Sequence, residues 1–116
     1  MLMESITGHA LRGHLETLLL SALRQGDAHG FELLQRLEQA GSGALKLKEG
    51  SLYPALYRLE ATGMIKGTWE DNSTPRRGPR RRIYHLTAKG NRRFEQARGE
   101  FHRFATIIGG ILGASA

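Results

Sequence analysis

Residues 49–70 read EGSLYPALYRLEATGMIKGTWE, and the fold turns on how this stretch divides. Leu52, Leu56 and Leu59 recur at helical spacing, which predicts a helix opening at Ser51 with that serine as its N-cap. Pro54 suits such a start, because the first turn has no intrahelical N–H partner to lose. At 100° per residue, Pro54 and Ala61 point away from the leucine stripe, flanked by Tyr53, Tyr57 and Arg58. Gly63 stops the helix. Residues 64–71 then alternate, with Ile65 and Trp69 on one face and Lys66, Thr68 and Glu70 on the other, the pattern of a strand.

Upstream, residues 11–24 read as a helix with Leu11, Leu15, Leu18, Leu19, Ala22 and Leu23 on one apolar face. Leu20 lies off that stripe, so two buried sides are expected. Gly26 is a stop and Asp27 a candidate cap for a second helix over 28–40, with Phe31, Leu34 and Leu37 facing inward. Gly41, Ser42 and Gly43 break it, and 45–48 alternate like a very short strand or an extended linker. Downstream, residues 72–79 have the composition of a long hairpin tip, and 82–86 form a second strand with Arg82, Tyr84 and Leu86 on one face. Thr87 can cap a last helix over 88–112, in which Phe94, Ala97, Phe101, Phe104, Ala105, Ile108 and Leu112 follow a near-heptad stripe. The chain is thus mainly α with a small β-hairpin. The order predicts a winged helix-turn-helix over 1–87, followed by a C-terminal dimerisation helix and tail over 88–116, the two forming one structural unit.

The chain has 116 residues, enough for one domain, and a net charge of +6. The charge is uneven. Up to Gly63 there are six basic and seven acidic residues; from Met64 there are eleven and four, and five of the eleven are arginines between positions 76 and 82. Such a run is costly without a polyanion, so nucleic acid is the first partner to consider. Cysteine is absent, which removes disulfide frameworks, thiolate metal sites and thiol nucleophiles and fits a reducing cytoplasm. No secretory signal is visible at the start of the chain, and the longest uncharged stretch, 104–116, is too short to span a bilayer, so no membrane partner is expected. The five histidines form no H-x-x-x-H or H-E-x-x-H pair, and no Walker loop or G-x-S-x-G is present. No enzyme, metal or cofactor is expected.

The stretch 49–70 resembles the PadR-like family of bacterial transcriptional regulators. Three further motifs support the likeness in order: LRGHLETLLLSAL from Leu11, HGFELL from His29, and RRGPRRRIYHLTAKG from Arg76. The likeness spans 11–103, with His29 where tyrosine is common and Ser51 where threonine is common. It implies a cytoplasmic homodimer that binds double-stranded DNA, as a repressor in the usual case. Ser51, Tyr53, Pro54, Tyr57 and Arg58 then fall on the recognition helix, and Arg76, Arg77, Arg80 and Arg81 in the wing. Dimerisation through the first and last helices would use Leu11, Leu15, Leu18, Phe94, Phe101, Phe104 and Ile108. Some relatives take a small hydrophobic effector at an aromatic dimer pore. Here Trp69, the sole tryptophan, lies in the hairpin and is expected to pack in the core.

The residue types suit duplex DNA. Arginine on a Gly/Pro tip can reach phosphates or a narrow minor groove. Arg58 can donate bidentately to guanine, and Tyr53 and Tyr57 can bond phosphate oxygens while covering sugar. Lys46 and Lys48 flank the start of the helix and are expected on the backbone. His29 and Gly30 stand at a helix N-terminus, where an amide can meet a phosphate. A 25-residue last helix is about 37 Å long, too long for one small protomer to cover its apolar stripe. A C2 dimer would cover it and set two recognition helices about 34 Å apart, matching a palindromic operator. The alternatives are a winged helix that docks proteins and one that binds RNA.

Overall fold

The computed structural model describes residues 11, 13–71 and 78–113. The described elements are, in order, α1 (Leu15–Leu23), a two-residue strand β1 (Ala28–His29), α2 (Gly30–Ala40) and α3 (Glu49–Ala61). A hairpin of β2 (Ile65–Trp69) and β3 (Arg82–Leu86) follows, and α4 (Ala88–Leu112) closes the chain. The sheet order is β1-β3-β2, antiparallel throughout, with Ala28 opposite Tyr84 and Gly67 opposite the same tyrosine on the other side. The mainly α winged helix-turn-helix with a long terminal helix is therefore the observed fold.

Leucines make the core. Leu19 and Leu20 of α1, Leu33 of α2, Leu52 and Leu56 of α3 and Ile65 of β2 are all fully buried. Neighbours Leu19 and Leu20 both disappear inside because α1 is the central helix, packed by α2 and α3 on one side and α4 on another. The carbonyls at its end are satisfied by Arg36 of α2, whose guanidinium donates to the backbone oxygens of Ala22 (3.1 Å), Gly26 (2.6 Å) and Asp27 (3.3 Å).

Several boundaries differ from the sequence expectation. α1 starts at Leu15, not at position 11, because Gly13 takes φ +85°, a conformation no continuing helix tolerates. α2 starts at Gly30, since Ala28 and His29 pair with β3 instead. Its cap is His29, not Asp27: the His29 ring accepts from the Glu32 amide at 3.3 Å, while the Glu32 carboxylate accepts from the His29 amide at 3.2 Å. Phe31, expected inside, is 56% exposed. The buried face of α2 is Gly30, Leu33, Leu34 and Leu37, and Phe31 lies roughly 110° from its centre.

α3 is capped three residues earlier than the expected Ser51. The Lys48 carbonyl accepts from both Ser51 (3.0 Å) and Leu52 (3.1 Å), which makes Lys48 the N-cap residue. Pro54 consequently sits in the second turn, and the bond it forgoes is to the carbonyl of Gly50, an exposed residue whose oxygen water can reach. The leucine stripe is buried as expected, with Ala55 added.

Thr87 fastens α4 to the rest. Its hydroxyl accepts from the Gly90 amide at 3.0 Å and reaches the carbonyls of Gly63 (2.7 Å) and Met64 (2.9 Å). Lys89 donates to Thr62 at 2.8 Å, closing the end of α3. Only the first half of α4 is covered. Phe94 and Ala97 are buried against α1, with the guanidinium groups of Arg24 and Arg98 over the Phe94 ring at 4.8 and 5.2 Å.

Candidate nucleic-acid interface

α3 turns Leu52, Ala55, Leu56 and Leu59 to the core, which leaves Ser51, Tyr53, Pro54, Tyr57 and Arg58 on its outer side. Tyr57 is 76% exposed, more than any packing role would leave it. Tyr53 is half-exposed, and its ring closes over the Cα of Gly30, where a β-carbon would lie 2.8 Å from the phenol oxygen. Lys46 and Lys48 are exposed on the segment leading into α3.

Arg58 is already engaged. Its Nε donates to the carboxylate of Glu16 on α1 at 2.8 Å, with both side chains about half in solvent. A partner 42 residues away could not be read from local spacing.

The wing arginines separate into distinct roles. Arg76 and Arg77 lie outside the described residues. Arg81 donates to Glu70 at 3.0 Å, and its Nη1 lies 2.8 Å from the His29 ring. Arg82 grips Glu60 of α3 with two contacts of 3.3 and 2.5 Å. Arg80 has no acid partner among the described residues; its guanidinium lies 5.7 Å from the centre of the Trp69 ring. The repulsion expected along this run is thus partly relieved by Glu60 and Glu70, which the fold brings in from either side. Arg82 donation holds the Glu60 carboxyl below its ordinary range, and the same pair raises Arg82. Burial pushes the Tyr84 phenol up, with the Glu60 charge as a second cause.

Trp69, expected in the core, is 56% exposed. It occupies the last residue of β2, opposite Arg82, and faces an open cleft that Phe31 of α2 and Tyr53 of α3 also line. The guanidinium groups of Arg80 and Arg82 cover its ring. His29, whose helix end was expected to face a phosphate, turns its ring back to cap α2.

The residues expected at a subunit interface divide likewise. Leu11 and Phe94 are buried within the protomer, so they have almost no surface left for a partner. Leu15 and Leu18 are partly buried against the core. Phe101, Phe104 and Ile108 are exposed, and with Ile107, Ile111 and Leu112 they form an apolar face along the outer half of α4. A groove of about 310 Å³ runs beside this face, between Gly13, His14 and Thr17 on one side and Arg93, Phe101 and Phe104 on the other.

Three helices with a hairpin behind the third define a winged helix-turn-helix, the fold class that lays its third helix in the major groove of DNA. Similarity to known proteins narrows this. A solved transcriptional regulator from Clostridium thermocellum superposes with a TM-score of 0.79 at 28% identity, over 89% of this chain and 97% of its own. A PadR-like transcriptional regulator from Bacillus cereus gives 0.72 at 31% identity, over 90% and 97%. A protein of uncharacterised function from Lysinibacillus sphaericus is 28% identical over 98 residues, which span 84% of this chain and 87% of that one. The model of the PadR-like family of transcriptional regulators matches residues 19–96, and the chain belongs to that family. It is a transcriptional regulator with a DNA-binding fold, and its family is not one of enzymes. Among the described residues no helix is long and apolar enough to cross a membrane.

Proposed function

We propose that the protein is a homodimeric repressor that seats two α3 helices in successive major grooves of a palindromic operator. The observation that carries this reading is the exposed apolar outer half of α4, from Phe101 to Leu112, on a chain whose α3 presents Tyr53, Tyr57 and Arg58 outward. Pairing two such faces about a two-fold axis removes the apolar surface from water and fixes the distance between two recognition helices. Repression then follows from occupancy, because a dimer covering a promoter excludes polymerase. A small hydrophobic effector would act at the groove between α1 and α4, where it could alter that distance.

Arg58 is assigned to base reading despite its ion pair. An exposed pair is worth about 0.2–1 kcal/mol, whereas a bidentate guanine contact discriminates by about 1–3 kcal/mol, so exchanging Glu16 for a base is favourable. Lys46, Lys48, Ser51, Tyr53, Tyr57 and Arg80 are assigned to the backbone beside Pro54, with Arg76, Arg77 and Arg81 contributing from the wing.

A salt titration of binding to promoter DNA tests the reading. Affinity is expected to fall steeply and linearly in log–log form, with a slope near −0.9 for each phosphate neutralised. A flat titration would sink it. Arg58→Ala should relax sequence preference while leaving binding to unrelated duplex nearly unchanged.

A further inference from the structure

A cleft of about 460 Å³ opens between the start of α2, the outer side of α3 and the root of the wing. Its walls include Phe31, Tyr53 and Trp69, three aromatic rings that are each about half exposed. Three arginines, Arg80, Arg81 and Arg82, also line it, and among the described residues no carboxylate does. Two of the three are neutralised from outside the cleft by Glu70 and Glu60, which leaves Arg80, seated on the Trp69 ring, as the one of the three with no acid partner among the described residues.

We propose that this cleft is a clamp for the sugar–phosphate backbone of duplex DNA, in which Trp69 holds the Arg80 guanidinium against a phosphate and Phe31 covers the adjoining deoxyribose. The inference rests on the DNA-binding reading above and adds two residues to it. Tyr53 belongs to α3 and Arg80 to the wing, so a duplex touching both elements passes across the mouth of the cleft. A guanidinium lying on an indole face is already oriented, so little rotamer freedom is lost when it meets a phosphate. The aromatic edges beside it match the apolar face of a sugar. Trp69 is therefore a positioning residue, acting through Arg80.

The sole tryptophan makes the test direct. A labelled duplex of arbitrary sequence, about two helical turns long, is titrated at low salt while anisotropy and tryptophan emission are followed together. Emission should change with the same midpoint as anisotropy. Arg80→Ala should flatten the salt slope by about 0.9. Trp69→Ala should weaken binding about two- to fivefold, but only while Arg80 is present, and Trp69→Phe should restore most of the loss. Phe31→Ala should weaken binding by a similar factor with the salt slope unchanged, and thermal melts of all variants should stay near the parent's. Equal losses from Trp69→Ala with and without Arg80 would overturn the positioning role. Duplex binding without any emission change would overturn the clamp and leave the DNA-binding reading intact. Emission that responds to benzoate but not to duplex would overturn it in favour of a small-anion site, and absence of duplex binding by the parent protein would overturn both.

Discussion

Two residues show how the wing and the last helix are held in place. Gly90 packs so closely on the turn after α3 that an added β-carbon would stand 1.9 Å from the Met64 carbonyl oxygen. That neighbour is backbone and cannot rotate away. Gly90→Ala should cost roughly 2 kcal/mol or more, measured as a lower midpoint in urea unfolding. Glu60 is the second. Its pKa is lower in the folded state, through Arg82, than in the unfolded chain. The pair therefore contributes fully above the unfolded glutamate value, and its contribution is lost as pH falls through the folded one. Unfolding midpoints of the parent should drop more steeply from about pH 5 to about pH 3 than those of Glu60→Gln; parallel curves would show that the pair adds nothing.

At the scale of elements, α4 is two helices in one. Up to Ala97 it is a core helix, clamped to α1 by Phe94 and, through an edge contact of 5.6 Å, by His14 against Phe101. Beyond Phe101 its large apolar side chains face outward, with Ile111 and Leu112 75% and 77% exposed. Phe104→Asp combined with Ile108→Asp should give a monomer in sedimentation without loss of helical content, because neither side chain supports the protomer core. A variant that remains dimeric would place the subunit contact elsewhere. α3 divides differently, by face: leucines inward, tyrosines and Arg58 outward.

The whole molecule is elongated. Its radius of gyration is 16.0 Å and its longest extent 56 Å, against about 13.4 Å for the radius of a compact chain of this length. The excess comes from the outer half of α4 standing clear of the domain. If two copies pair there, the separation of the recognition helices becomes a rigid property of the dimer. Inserting about half a helical turn between operator half-sites should then drop affinity toward the non-specific level, about a thousandfold or more. Gel-shift titrations of the spaced operators would read this out, and an unchanged affinity would mean that each protomer binds alone.

Local pattern alone determined the order of the helices and the two hairpin strands, the leucine face of α3, the Thr87 cap and the extent of α4, since each depends on neighbours within a turn or on strand alternation; β1, which exists only by pairing with β3, reads locally as helix. The family likeness in residues 49–70 was equally legible. The positions of charge partners and of aromatic rings were decided by tertiary structure. Glu16 meets Arg58 and Glu60 meets Arg82 across 42 and 22 residues, distances over which no periodicity carries information. Phe31 and Trp69 look like core residues because they are large and apolar. They stand in the open because Phe31 lies off the Leu33, Leu34 and Leu37 face of α2 and Trp69 ends β2 opposite Arg82, on the wall of the cleft. Hydrophobicity dictates that such rings be covered, but only the packing of the elements determines whether the cover comes from the chain itself or from what it binds.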